Sequence, residues 1–191
     1  MPMDVRELTE QTWPALEKLF GPKGADGGCW CMFFRLPGPD FRTGVYEPNH
    51  AALRDLAASR EPVGLLAFEG DGAVGWVAVA PRAVYRRLDR STVAKPVDPD
   101  EDLTGVWSVT CFFIHRRARR SGVSKLLLQE AVRYAADRGA RIVEGYPVDT
   151  RGEKKASGEL YHGTLAMFKA AGFAVVEARG VRRALVRKEI V

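Results

Sequence analysis

The segment Val109 to Leu128, VTCFFIHRRARRSGVSKLLL, does most to limit how this chain folds. The apolar run Val109–Ile114 reads as a buried strand, and Arg119-Arg120-Ser121-Gly122-Val123-Ser124 follows soon after. Val123, Leu127, Ala131 and Ala135 then recur at every fourth position, the stripe of an amphipathic helix. A strand, a turn of small residues and a helix N-terminus in that order make an anion site. The turn offers free backbone N–H groups, and the helix dipole adds partial positive charge beside them. Gly122 lets the backbone approach the anion closely, and Arg119 and Arg120 add charge-assisted hydrogen bonds to phosphate oxygens. The segment lacks the Gly-Lys-Ser/Thr of a Walker loop, and its single glycine does not make G-x-G-x-x-G.

This stretch resembles the GNAT superfamily of acyl-CoA-dependent N-acetyltransferases. The family signature, Gln/Arg-x-x-Gly-x-Gly/Ala between the fourth strand and the third helix, is met by Arg119-x-x-Gly122-x-Ser124. Ser124 departs from Gly or Ala but is still small. Downstream, Ala166-Met167-Phe168-Lys169-Ala170-Ala171-Gly172-Phe173 resembles the family's closing helix. The resemblance covers Leu65 to the C-terminus; the residues before it match in general outline only. It implies a mixed α/β fold in one domain over 1–191, with a mostly antiparallel sheet splayed between its fourth and fifth strands and flanked by helices. It also implies acetyl-CoA as co-substrate, held by Phe112, Phe113, Ile114, Arg119, Arg120, Ser121, Gly122, Val123 and Ser124. The implied reaction is transfer of the acetyl group to a primary amine of a small molecule or peptide by direct attack.

Length and charge fit that reading. A chain of 191 residues is better taken as one domain than two, and with 46% apolar residues it can bury a substantial core. No stretch approaches a membrane span, and MPMDVRELTE has no basic-then-apolar signal region. Three cysteines, an odd number, suit a reducing compartment better than a disulfide framework, so the expectation is a cytoplasmic protein. The net charge is +5, from 29 basic and 24 acidic residues. Arg116, Arg117, Arg119, Arg120 and Lys125 lie in one short segment without an acidic residue, which suits a funnel for polyanionic coenzyme A. A solvated basic turn is the plainer alternative. Nucleic acid is not expected as a partner, because the basic residues lack interleaved stacking aromatics and no helix-turn-helix or finger spacing appears. No membrane partner is expected, and a homodimer is left open.

Hydrophobic periodicity gives the remaining elements. Strands are expected at Val5–Leu8, Val63–Phe68, Val74–Ala80, Val106–Ile114, Arg141–Val148, Phe173–Ala178 and Ala184–Ile190. Glu69-Gly70-Asp71-Gly72 is a strong hairpin turn. Helices are expected at Thr9–Phe20, Pro48–Ser59, Ser121–Arg138 and Thr164–Ala171, with Gly139 and Gly172 as stops. Gly21 to Gly44 reads as irregular, Pro81 to Asp102 as a loop with one helical turn near Val84–Leu88, and Asp149 to Gly158 as a charged loop.

Acylation of an amine by a thioester needs a neutral amine, stabilisation of the thioester oxygen as charge develops, and a departing thiolate. The resemblance assigns the oxygen contact to backbone N–H groups around Phe112 to Ile114 and implies no covalent intermediate. Cys111 then reads as a buried strand residue; as a nucleophile it would need a base, for which His115 is a weak candidate. Many family members protonate the thiolate with a tyrosine of the closing helix, and Phe168 stands at that position here. An alkyl thiol with a pKa near ~8.5 leaves fairly well unaided. Tyr161 and Tyr146 are the candidate acids, and Glu144 is a candidate base acting through water. Packing of the Tyr161 ring, and surface exposure of Glu144 and Tyr146, are the competing readings.

The block Cys29-Trp30-Cys31-Met32-Phe33-Phe34-Arg35 stands in the irregular segment. Zinc would need two more ligands, and Cys111, His50, His115 and His162 are scattered. A redox pair is disfavoured because C-x-C lacks the usual two-residue spacer. No metal and no stable disulfide are therefore expected. In GNAT-like folds the region between the first two helices borders the acceptor, so the resemblance makes Trp30, Phe33, Phe34 and Arg35 acceptor contacts; hydrophobic packing is the alternative. Two functions stay open: an N-acetyltransferase, and a catalytically weak acyl-CoA-binding regulatory protein, which Phe168 keeps in play.

Overall fold

The computed structural model describes residues 3–191; Met1 and Pro2, where the segment read for a signal begins, lie outside them. Seven strands form one sheet in the order β1-β2-β3-β4-β5-β7-β6. They are β1 Asp4–Glu7, β2 Gly64–Glu69, β3 Gly72–Pro81, β4 Val106–Ile114, β5 Ile142–Gly145, β6 Ala174–Arg179 and β7 Arg183–Glu189. The α-helices are α1 Trp13–Phe20, α2 Gly38–Thr43, α3 Glu47–Ala58, α4 Val123–Ala136 and α5 Leu165–Ala170. Every strand pairing is antiparallel except β4 with β5. The mixed, mostly antiparallel sheet expected from the sequence is therefore present. Among the described residues no helix is long and apolar enough to cross a membrane.

Strand alternation divides the apolar side chains between two layers. On β2 and β3, Leu65, Ala67, Val77 and Val79 pack with Val123, Leu127, Ala131 and Ala135 of α4 on one face. Leu66, Phe68, Trp76 and Ala78 pack with Trp13, Leu16, Leu19 and Phe20 of α1 and with Leu53 and Ala57 of α3 on the other. Both faces of these strands are covered, which explains their nearly unbroken apolar runs.

The local differences from the sequence reading have identifiable causes. Helix α1 starts at Trp13 rather than Thr9 because Thr9 and Thr12 close a turn of their own. The Thr9 N–H donates to Thr12 Oγ1, whose hydroxyl donates to the Glu7 carbonyl, each at 2.8 Å. The segment expected to be irregular holds the short helix α2, opened by Pro37 and Pro39. The fifth strand is the largest difference. It pairs with β4 only from Val106↔Ile142 to Val109↔Gly145 and then ends. Ala78 pairs with Cys111 while Val79 pairs with Val109, so Thr110 is an extra residue on β4. A bulge bends the strand that carries it, and β4 leaves β5 at this point. The chain beyond β5 instead bridges Val148 to Thr164 and Arg183.

Candidate functional site

A cleft of about 870 Å³ opens where β4 and β5 part. One end is made by the turn before α4, and Arg119, Arg120, Gly122, Val123 and Ser124 all line it. Gly122 is the N-cap of α4 at φ +86, and no side chain caps the helix. The first turn contains no acidic residue. Its N–H groups therefore lack intrahelical partners and carry the positive end of the helix dipole. Arg120, at φ +66, takes the same left-handed conformation two residues earlier. Alternation of this kind turns successive N–H groups toward one side, an anion-binding concavity. The chemistry of this end suits a phosphate or diphosphate. Ser121 stays out of the wall: its hydroxyl donates to the Ala118 carbonyl at 2.7 Å.

The middle of the cleft follows β4 through Cys111, Phe112, Phe113 and Ile114. The His115 N–H donates to Val74 on β3. By alternation the N–H groups of Phe112 and Ile114 face the opening. That of Phe112 is engaged: it donates to the Tyr161 carbonyl at 2.6 Å. Next to it, His162 Nδ1 is 2.9 Å from the Thr110 carbonyl. Tyr161 and His162 thus wedge into the splay, held to β4 on one side. The following residues are tied to the chain beyond β5 by Val148 N–H to Gly163 and Leu165 N–H to Val148. His162 is buried, and desolvation with the nearby Arg183 pushes its pKa down to about 3. It is neutral, so Nδ1 carries the proton it donates to Thr110. The Tyr161 side chain is 40% exposed and lines the cleft. Burial of its hydroxyl pushes the pKa above the ordinary tyrosine value, so the phenol keeps its proton at neutral pH.

The other end is walled by Asp26, Cys29, Cys31, Phe33, Phe34 and Phe41 from the segment between α1 and α3. Phe33 meets Phe34 and Phe41 edge to face, with ring centroids 4.9 and 5.3 Å apart. Phe34 backs onto His162 at 5.5 Å. This end is mainly aromatic, with two thiols and the carboxylate of Asp26, and the other is cationic.

The sequence profile of the acetyltransferase (GNAT) family matches residues 30–162, which include most of the residues lining the cleft. The chain belongs to the GNAT acetyltransferase family. Solved structures agree on the fold. The PaiA N-acetyltransferase from Thermoplasma acidophilum, in complex with coenzyme A, is 13% identical with a TM-score of 0.56, covering 100% of each chain. A GCN5-related N-acetyltransferase from Kribbella flavida is 17% identical with a TM-score of 0.56, covering 98% of each chain. The ribosomal-protein-alanine N-acetyltransferase from Brucella melitensis is 17% identical with a TM-score of 0.54, covering 98% of this chain and 99% of its own. No curated protein matches the chain significantly.

Within this GNAT acetyltransferase the residues singled out from sequence separate into two groups. Phe112, Phe113, Ile114, Arg119, Arg120, Gly122, Val123, Ser124, Tyr161, Phe33 and Phe34 share the cleft. Glu144, Tyr146, Trp30 and Arg35 do not line it. Glu144 is 0% exposed and sits at the centre of an ion cluster. Its Oε1 accepts from Arg82 Nη1 and from the Tyr146 hydroxyl, and its Oε2 accepts from Arg187 Nε at 2.9 Å. Tyr146, also buried, has its oxygen 2.8 Å from Arg82 Nη1 and from Ser108 Oγ. Glu144 and Tyr146 are both buried rather than surface-exposed, and neither lines the cleft. The pairing Ser108↔Glu144 puts the carboxylate on the closed part of the β4–β5 junction, before the splay.

Trp30 is packed against Trp13, Phe20 and His50. Arg35 is buried with its guanidinium over the Tyr85 ring. Both pack outside the cleft lining, beside the aromatic wall. Phe168 is fully buried among Phe112 and Phe173. Cys111 departs from its reading as a buried strand residue: it is partly exposed and lines the cleft with Cys29 and Cys31. The strand's period of two left its facing open, since either face of β4 is covered by something.

Proposed function

We propose that this protein is an N-acetyltransferase that carries an acetyl group from acetyl-CoA to a primary amine of a small molecule or peptide by direct attack. The observation that carries the reading is the shared cleft. An uncapped helix N-terminus with two arginines, an open strand edge and an aromatic acceptor wall line one continuous space. Coenzyme A fits this chemistry. Its diphosphate suits the α4 N-terminus, Arg119 and Arg120, and its amide arm suits the polar edge of β4. Bound there, acetyl-CoA would supply the activated acyl group.

The chain's own residues then have separate tasks. The N–H of Ile114 is available on the open edge, and that of Phe112 becomes available when the Tyr161 carbonyl moves aside; either can stabilise charge on a thioester oxygen. Phe33 and Phe34 hold the body of the amine and exclude water. The Tyr161 hydroxyl, protonated at neutral pH, can give its proton to the leaving sulfur. Phe168 has no proton to give and supports Phe112 instead.

One second reading has specific support. A regulatory acyl-CoA binder with little turnover is favoured by the occupied Phe112 N–H and by the phenyl ring at position 168. One experiment separates them. Purified protein is titrated with coenzyme A by calorimetry and then assayed for thiol release from acetyl-CoA with a panel of amines. Binding with amine-dependent thiol release supports the enzyme. Binding without release for any amine selects the regulator, and absence of binding overturns both.

A further inference from the structure

The proposed reaction makes no use of the Cys29-Trp30-Cys31 block, yet both of its thiols face the cleft together with Cys111. None of the three is in a disulfide. Cys31 Sγ lies 3.9 Å from Cys111 Sγ, although the two residues are 80 positions apart. The hydrogen bonds around them run one way. Trp76 Nε1–H donates to Cys31 Sγ at 3.2 Å, and the Cys31 thiol donates to Cys111 Sγ. Cys111 Sγ, whose own thiol donates to the Phe112 carbonyl at 3.9 Å, accepts from Cys31. The same contact keeps Cys31 protonated: its pKa is pushed well above the ordinary thiol value, first by the hydrogen bond to Cys111 and then by desolvation.

The backbone that delivers Cys31 is unusual as well. Trp30 and Cys31 have φ of +46 and +55 in succession. Side chains larger than hydrogen rarely adopt that region, and residues held there gather at functional sites. This turn brings Cys31 against β4 from outside the sheet, with the Trp30 ring buried behind it.

We propose that Cys31 and Cys111 form an oxidisable dithiol site that takes a hydroperoxide and closes to a disulfide across the acceptor end of the cleft. The Cys111 thiolate attacks one peroxide oxygen. The O–O bond breaks, the sulfur becomes a sulfenic acid, and hydroxide or alkoxide leaves. The Cys31 thiol then attacks that sulfur. An S–S bond forms, the S–O bond breaks, and the oxygen departs as water with the Cys31 proton. The two thiols lose two electrons and the peroxide gains them. Sulfur atoms must close to about 2.05 Å, so the Cys31 turn moves toward β4. The bridge ties the segment between α1 and α2 to the sheet and leaves the Gly122 end untouched. Only the description of this end as the acceptor end rests on the proposed function; the bond itself does not.

The test uses full-length protein, reduced and then freed of reductant. Hydrogen peroxide is added, followed by intact mass measurement and non-reducing peptide mapping. The expected product has lost two hydrogen atoms, joins the Cys31 peptide to the Cys111 peptide, and reverts with dithiothreitol. Cys29→Ser should give the same bridge. Cys31→Ser keeps an acceptor for Trp76, so it should fold, form no bridge and leave a Cys111 sulfenic acid that dimedone traps. A bridge through Cys29, a sulfenic acid first on Cys31, or three unmodified thiols would overturn the proposal. Oxidised protein should still bind coenzyme A. Failure of the reduced protein to bind it would count against the proposed function alone.

Discussion

At the scale of single residues, identity matters less than what the surroundings do to each group. Gly122 stands at φ +86 with open space where a Cβ would be. A side chain there would stand where an anion must approach, on a backbone that L-residues adopt reluctantly. Gly122→Val should weaken coenzyme A binding at least tenfold, about 1.4 kcal/mol, by calorimetry; unchanged affinity would remove the turn from the site. Tyr161→Phe removes one oxygen from the cleft wall and no packing. If the hydroxyl protonates the thiolate, kcat should fall about 10²–10⁴-fold with coenzyme A affinity held. Wild-type kcat under conditions where chemistry limits the rate would mean that the thiolate leaves unaided. Glu144 makes the opposite prediction. Its carboxylate faces Arg82 and Arg187 in the interior, and removing one partner of a buried pair leaves the other uncompensated. Glu144→Gln should lower stability by about 3 kcal/mol in urea unfolding. Folded Glu144→Gln protein should keep near-normal turnover, and a large kcat loss with unchanged stability would return Glu144 to the mechanism.

Among the elements, the wedge of Tyr161 and His162 is the most consequential, because it sits in the splay between β4 and β5 and lines the cleft there through Tyr161. Its grip depends on a neutral imidazole. His162 binds no proton in the folded state until pH falls to about 3, whereas an unfolded histidine binds one below about 6.5. The unfolded state therefore holds more protons between those values, so stability is lost as pH falls below 6.5, by up to about 1.4 kcal/mol per unit. His162→Gln should flatten that slope in urea unfolding between pH 5 and 7, and equal slopes would show that the imidazole titrates freely. The wedge was not legible in the sequence, which shows a charged loop followed by a short helix. Its hydrogen bonds go to Thr110 and Phe112, some fifty residues away, and local pattern carries no trace of them. Strand β4 and helix α4 were legible because apolar run, turn and stripe all agree there. The same pattern could not say that β5 would stop at Gly145, since the bulge at Thr110 arises from pairing with β3. Nor could it tell that Glu144 meets Arg82, a residue in what read as a polar loop.

Taken whole, the molecule is polarised. Arg116, Arg117, Arg119, Arg120 and Lys125 are all exposed around one end of the cleft, and the opposite end presents phenylalanines and thiols. Attraction of a polyanion to exposed charges is screened by salt, the Debye length falling from about 10 Å at 0.1 M to about 3 Å at 1 M. Coenzyme A affinity should drop several-fold over that range, and less steeply for Arg119→Ala; a flat salt profile by calorimetry would show that the charges do not steer binding. The aromatic side chains are just as unevenly shared. Trp13, Trp30 and Trp76 all belong to the layer behind the thiol wall, and only Trp107 lies under α4. The indole of Trp76 touches Cys31 sulfur, and sulfur is an efficient quencher of excited indole. Ultraviolet emission from this protein is consequently a lopsided signal, darkened or brightened by events at the thiols and reporting on the far side of the sheet through Trp107 alone.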